Sequence, residues 1–327
     1  MLSVFLWGFS PIGTRYLVGL NQASLPALAF AGLRYGLAAA CFAPFLWQTR
    51  HWRLADWRLA ALAGCLGIAG YNLPATIGQR TVSAGLTGLL DGAEPLMIIL
   101  ISAIVIRRVP TRMTLIASAI ALTGVLILAH NSGPALGDPL GIALVLLGAT
   151  LWAGYCVAVP PLINRHGPIP ATAAIMLLGA VPLVLLGAPQ TPALIHAITP
   201  TQTIVLLTLV VGSSVLATLC WNAGSAVLGA ARAGWFLYLV PVVSLIGGTL
   251  LLGEPVKPAE LAGGSLILLS VYLSQRRSQT ASPPNPRAES PSAPASAPRN
   301  TRPPPPETAS GPASPAPAVT PSAPGTP

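Results

Sequence analysis

The chain has 327 residues, of which 53% are hydrophobic and 8% charged, and its mean hydropathy is +0.70. A soluble domain carries about 25% charged residues, so this composition excludes a water-soluble globule and suits a bilayer. The net charge of +9 does not indicate nucleic-acid binding, because the basic residues sit at segment ends and in the tail rather than in one patch.

Apolar runs come in a regular series. They are expected at 2–20, 25–47, 59–78, 83–106, 113–130, 139–163, 168–188, 201–222, 230–252 and 259–275. A helix needs about 20 apolar residues to cross the hydrocarbon core, and ten such helices fill the chain to about Gln275. Helices are expected because backbone polar groups cannot go unpaired in lipid. A β-barrel would need polar/apolar alternation, and Leu96 to Ile106 shows none. Pro11, Pro74, Pro95, Pro182 and Pro241 fall inside segments, where each removes a helix hydrogen bond and favours a kink.

The series is written twice. Leu6-Trp7-Gly8 opens one set of five segments and Leu151-Trp152-Ala153 opens the next. Tyr71-Asn72 recurs as Trp221-Asn222, and the stretch from Glu94-Pro95 to Val125 aligns with that from Val240-Pro241 to Val271. Pro95 and Pro241 are mates, so paired kinks are expected. Five crossings per copy is odd, so the second copy enters the membrane inverted, as in secondary transporters. The expected units are 1–130 and 138–275, one repeat each, and 279–327, a tail.

Charge at the segment ends sets orientation. The even links and the C-terminal end carry ten arginines: Arg50, Arg53, Arg58, Arg107, Arg108, Arg112, Arg165, Arg232, Arg276 and Arg277. The odd links carry two basic residues, Arg80 and Lys257. The excess places both termini in the cytoplasm. Met1 leads into an apolar stretch with no basic n-region, so no cleavable signal is expected, and the abrupt first segment leaves room for a start upstream. The last 49 residues hold 16 prolines among Ser and Ala, the composition of a disordered tail. Pro303 to Pro306 could present a polyproline II ligand.

These motifs resemble the EamA-type permeases of the drug/metabolite transporter superfamily. The resemblance rests on Leu6-Trp7-Gly8, Leu33-Arg34-Tyr35, Ser83-Ala84-Gly85 and Glu94-Pro95 in the first copy. In the second it rests on Ala230-Ala231-Arg232-Ala233, Val240-Pro241, Leu252-Gly253-Glu254-Pro255 and Leu261-Ala262-Gly263. It covers residues 1 to about 275. It implies an all-α integral membrane protein of ten transmembrane helices in two inverted five-helix repeats around a central substrate cavity. The Gly253-Glu254 pair of the second copy aligns with Arg107-Arg108 in the first, which puts a symmetrical role for that pair in doubt.

Charges inside a bilayer are functional-site candidates by default, and four stand out: Arg15, Arg34, Asp91 and Glu94. Counted along their helices at about 1.5 Å per residue, Arg34, Asp91 and Glu94 share a level near the midplane, with Arg15 nearer the outer face. Asp91 and Glu94 are three apart and are expected on one helix face. A cluster of Arg34 with Asp91 or Glu94 is expected, either pinning two helices or offering a carboxylate that takes up a proton or binds a cation. Arg15 is expected to snorkel to the interface. Trp47, Trp52 and Trp57 read as interfacial anchors. Trp7, Tyr71, Asn72, Trp152, Tyr155, Trp221, Asn222 and Tyr238 are expected in or near the cavity, where aromatic faces and a few amides suit an amphipathic metabolite. Glycines such as Gly64, Gly67, Gly70, Gly247 and Gly248 allow close helix packing. Cys41, Cys65, Cys156 and Cys220 lie in apolar segments, so neither disulfide nor metal spacing is present. No catalytic constellation, metal site or cofactor is expected.

The functional expectation is a multi-pass transporter of the cell inner membrane. It would move a small organic metabolite by alternating access, most readily as an exporter, as a monomer or homodimer. Proton-coupled uptake is the alternative, and a membrane scaffold acting through the Pro-rich tail is the alternative of another class.

Overall fold

The computed structural model describes residues 2–19, 24–105, 107, 112–130, 138–228, 236–237 and 239–278. Among them every regular element is helical. Six helical runs are long and apolar enough to cross a membrane: Ala27–Thr49, Leu54–Gly78, Ala84–Val105, Pro139–Ala158, Pro168–Ala197 and Pro200–Val227. Three shorter apolar stretches, Arg112–Leu128, Leu239–Leu252 and Pro258–Ser270, accompany them.

The runs are interrupted where the sequence cannot sustain an α-helix. Helix α1, Leu2–Gly8, stops at Phe9, and α2, Ser10–Val18, restarts with Pro11 in its first turn, where the missing N–H costs nothing. Helix α3, Ala27–Phe42, tightens into a 3₁₀ stretch over Ala43–Thr49. Next come α4, Leu54–Gly64, a π-helical stretch over Cys65–Gly70, and α5, Tyr71–Gly78. Pro74 lies inside α5 and would clash with the carbonyl four residues back, at Gly70, where the π stretch has widened the helix. Helix α6, Ala84–Asp91, ends at Gly92-Ala93, and α7, Glu94–Val105, begins just before Pro95. The break follows from Pro95, which supplies no N–H and disfavours α geometry at Glu94.

Then follow α8, Arg112–His130, α9, Pro139–Ala158, α10, Pro160–His166, α11, Pro168–Gly187, and α12, Thr191–Ala197. Pro182 sits within α11 without ending it. Helix α13, Pro200–Thr208, passes through a second π stretch, Leu209–Leu216, into α14, Ala217–Leu228; nothing in the local sequence explains this second stretch. The last helices are α15, Leu239–Leu252, and α16, Pro258–Ser278. Pro241 stands at the start of α15, and the residues before it lie outside the described set. The third run begins at Leu54 rather than 59, so Trp57 and Arg58 are helical rather than in a link. Caps mark several starts: Ser83 accepts from the Leu86 N–H, Asp138 from Gly141 and Thr199 from Gln202, satisfying donors a helix start leaves open.

Long pairings hold the bundle. Helix α3 lies along α11, α8 along α16, α5 along α9 and α6 along α15. Backbones come together at glycine: a β-carbon on Gly64 would meet the Ile175 carbonyl and Gly179 backbone, and one on Gly124 would meet the Gly263 carbonyl. Such contacts bring helices close where lipid gives no hydrophobic drive for association. The largest fully buried side chains include Tyr155, Phe30, Phe42 and Met176. The exterior carries Leu185, Leu250, Ile104 and Val227, an apolar coat suited to acyl chains.

The Gly253-Glu254 motif has a geometric reason. Gly253 takes φ +67 and turns the chain so that the Glu254 N–H bonds the Gly248 carbonyl. Its counterpart in the first copy, Arg107, takes φ +56. The positive φ survives although the residue has changed, and an L side chain there costs about 1–2 kcal/mol.

Candidate functional site

A cavity of about 60 Å³ lies where α1, α3, α5, α6, α7 and α9 meet the second π stretch. Its walls include Trp7, Arg34, Tyr71, Asn72, Asp91, Glu94 and Trp152, all expected there from the sequence, together with Ser10, Tyr35, Gly67, Thr218 and Ser213. One water needs roughly 10–15 Å³ of such space, so the cavity holds a few waters and no metabolite. Metabolite-sized pockets measure about 300–1,000 Å³.

One wall is aromatic. Trp7 stands edge-on to Trp152 with ring centroids 5.2 Å apart, and 5.4 Å from Trp221. Trp152 contacts Tyr71 at 5.8 Å and Tyr155 at 4.8 Å. The Trp7 indole N–H donates to the Ser213 carbonyl at 3.1 Å. Trp221 also lines a second hollow of about 150 Å³ with Cys156, Ile163 and Asn164. The indoles of Trp7 and Trp221 therefore stand between the two spaces.

Arg34 is 4% exposed, and its guanidinium is held differently from expectation. Nε donates to Ser214 at 2.9 Å, Nη1 to Thr14 at 3.3 Å, and Nη2 to Ser10 and Ser213, each at 3.0 Å. No ion pair within 4.0 Å joins it to Asp91 or Glu94. The hydroxyls of α2 and the second π stretch take four of its five donors, so the expected Arg–carboxylate cluster is corrected to an Arg–hydroxyl hub. These serines and threonine escaped sequence reasoning. The adjacent Ser213-Ser214 within an otherwise apolar run was the available signal.

Asp91 ends α6 and Glu94 begins α7, on either side of the Gly92-Ala93 turn, and both line the cavity. The Tyr71 hydroxyl donates to Asp91 Oδ2 at 3.1 Å, while Asp91 Oδ1 is buried with no partner.

The two amides are buried and paired. Asn72 accepts from the Tyr35 hydroxyl at 2.6 Å and donates to the Ile68 carbonyl at 2.8 Å. Asn222 accepts from the Tyr155 hydroxyl at 2.8 Å and donates to Thr172 at 2.9 Å. Tyr155 and Asn222 thus lie behind the aromatic wall rather than on the cavity. Tyr238 lies outside the described residues.

Two charged clusters stand at opposite ends of the run Leu54–Gly78, whose middle residues Gly67, Ile68, Tyr71 and Asn72 border the cavity. Beyond its C-terminal end, Arg15 Nε meets Glu254 at 3.3 Å and Nη1 donates to the carbonyls of Gln79 and Arg80. Glu254 also accepts from the Ala84 N–H at 2.9 Å. Arg15 therefore bridges elements at this end of the bundle. At the N-terminal end, Asp56 pairs with Arg165 and, at 3.3 Å, with His166. Trp52 stacks on His166 at 4.4 Å. Each cluster joins the first half of the chain to the second.

The model of the EamA-like transporter family matches residues 1–129 and 139–275. The chain belongs to this family. It is thus a membrane transporter of the drug/metabolite transporter superfamily, multi-pass and acting on a small molecule. An "Uncharacterized transporter" of Archaeoglobus fulgidus is 28% identical over 84% of this chain and 97% of that protein. A "Probable terminal-alkyne amino-acid exporter" of Streptantibioticus cattleyicolor is 28% identical over 85% of this chain and 92% of that protein. A "Probable amino-acid metabolite efflux pump" of Salmonella typhimurium is 27% identical over 84% of this chain and 92% of that protein. A crystal structure superposes with a TM-score of 0.57, covering 86% of this chain and 96% of that one at 18% identity, and shares the fold. The EamA-family match and these relatives indicate transport rather than enzymatic chemistry.

Proposed function

We propose that this EamA-family protein exports an amino-acid-like or amphipathic metabolite across the cell inner membrane by alternating access, using the cavity bounded by Trp7, Arg34, Tyr71, Asn72, Asp91, Glu94 and Trp152. The observation that carries the reading is the placement of that cavity midway between two charged clusters. Each cluster ties one half of the chain to the other, so opening either end exposes the cavity to one side. The space is too small for a metabolite with both ends tied, as an occluded state would be. Export is favoured by the relatives named as an exporter and an efflux pump.

The architecture proposed is ten crossings in two inverted five-helix repeats, 1–130 and 138–275, with both termini cytoplasmic and 279–327 as a tail outside the transport unit. Several observations support it. Helices α3 and α11, and α8 and α16, are repeat mates that pack on each other. A π stretch stands ahead of Tyr71-Asn72 and again ahead of Trp221-Asn222. Each Asn accepts from a buried Tyr hydroxyl. Exchange of labelled against unlabelled amino acids in proteoliposomes tests the function, and reporter fusions at each link test the topology. Deleting 279–327 separates transporter from scaffold: the flux should persist. Proton-coupled uptake remains the second reading because two carboxylates border the cavity; solute accumulation driven by an inward proton gradient would favour it over export.

A further inference from the structure

Among the described residues, no cation pairs with the carboxylates of the cavity. Counted as ionised, Asp91 and Glu94 bring two negative charges to a wall whose single cation among the described residues is Arg34. Arg34 is turned to hydroxyls, and no ion pair joins it to either acid. Asp91 is 6% exposed, and its Oδ1 is buried without a hydrogen bond. Leaving such an atom unpaired costs about 1–3 kcal/mol or more for a charged group. The Tyr71 hydroxyl fixes the other oxygen, so Oδ1 is set in direction as well as unpaired. The same cavity is lined by the ring of Tyr71 and the indoles of Trp7 and Trp152. An aromatic face attracts a cation by roughly 0.5–2 kcal/mol, most when water is excluded.

We infer that Asp91 is the subsite for a primary ammonium group, seated on Oδ1 with Glu94 as the second negative charge and the aromatic wall against the solute's apolar portion. An ammonium supplies three donors to an acceptor that has none and brings the cavity to neutrality. The inference rests on this cavity being the solute site and narrows the solute class. Recognition is at the amine end. A carboxylate on the solute is not taken up by Arg34, whose donors are engaged by Ser10, Thr14, Ser213 and Ser214. Amines and amino acids should therefore both bind, and carboxylates without an amine should not.

The test titrates the purified full-length protein, following the fluorescence of its tryptophans, with phenethylamine, phenylalanine and 3-phenylpropanoate. Phenethylamine and phenylalanine should bind at least tenfold more tightly than 3-phenylpropanoate. Asp91→Asn, nearly the same shape, should abolish that preference, and Asp91→Glu should restore part of it. Tyr71→Phe keeps the carboxylate but frees its orientation and should weaken amine binding severalfold. The inference is overturned if the three probes bind equally, if neither amine binds, or if Asp91→Asn keeps the preference. Phenylalanine exchange in proteoliposomes is read separately. Flux without an amine preference removes the subsite and leaves the transporter; an intact preference with no flux of any solute removes the transport reading alone.

Discussion

The cluster at Arg15 and Glu254 allows a prediction with a worked magnitude. At 3.3 Å the pair interacts by about 5 kcal/mol at an effective dielectric constant of 20. Both side chains are about one-fifth exposed, so desolvation and screening reduce this to a net coupling of about 1–2 kcal/mol. The two residues do not contribute equally. Arg15 also donates to two backbone carbonyls, and Glu254 also accepts from the Ala84 N–H. With about 1.5–3 kcal/mol per charge-assisted bond before the exposure discount, Arg15→Ala should cost about 3 kcal/mol and Glu254→Ala about 2. The assay is thermal unfolding in detergent of wild type, both single variants and the double variant. The double variant should be more stable than the sum of the singles implies, by the shared coupling. A coupling below about 0.3 kcal/mol, or a Glu254→Ala loss larger than that of Arg15→Ala, would refute the bridge.

Three further outcomes follow from the packing and the hydrogen bonds. Tyr155→Phe strands the Asn222 oxygen in a buried site and should cost about 1–2 kcal/mol, with Asn222→Ala costing more because Thr172 also loses its donor; unfolding midpoints in detergent measure both. Gly64→Leu should abolish the monodisperse peak on gel filtration, because its side chain would meet the backbone of α11, while Gly224→Ala, with open space around it, should leave the peak unchanged. Asp56→Ala leaves Arg165 and His166 facing each other without their carboxylate. It should lower the unfolding midpoint in detergent, by less than the loss of a fully buried pair would, because Arg165 is largely exposed.

How far the sequence could be read depended on the kind of interaction. Apolar runs long enough for a bilayer lie in the primary structure, so Leu54–Gly78 and Pro168–Ala197 were visible in it. The cavity residues on α1, α3, α5 and α9 were legible because Trp, Asn and charged side chains are costly in lipid and carry their own flag. Partnership was not legible. Arg34 was expected to seek a carboxylate, but depth along a helix says nothing of azimuth, and two serines from a segment 180 residues away face it instead. Depth likewise did not show the partner of Arg15, Glu254, which sits 239 residues further on. The interruption at Gly92-Ala93 stands just ahead of Pro95, where a kink was expected.

The two π stretches set a limit on how little must move. A π turn holds one residue more than an α turn would, and one residue of an α-helix is about 100° of rotation. Returning Cys65–Gly70 to α register would swing Tyr71 and Asn72 around the helix axis together; the same change at Leu209–Leu216 would swing Trp221 and Asn222. One π stretch thus sets the azimuth of Tyr71 and Asn72 on the cavity, and the other that of Trp221 and Asn222 behind its aromatic wall.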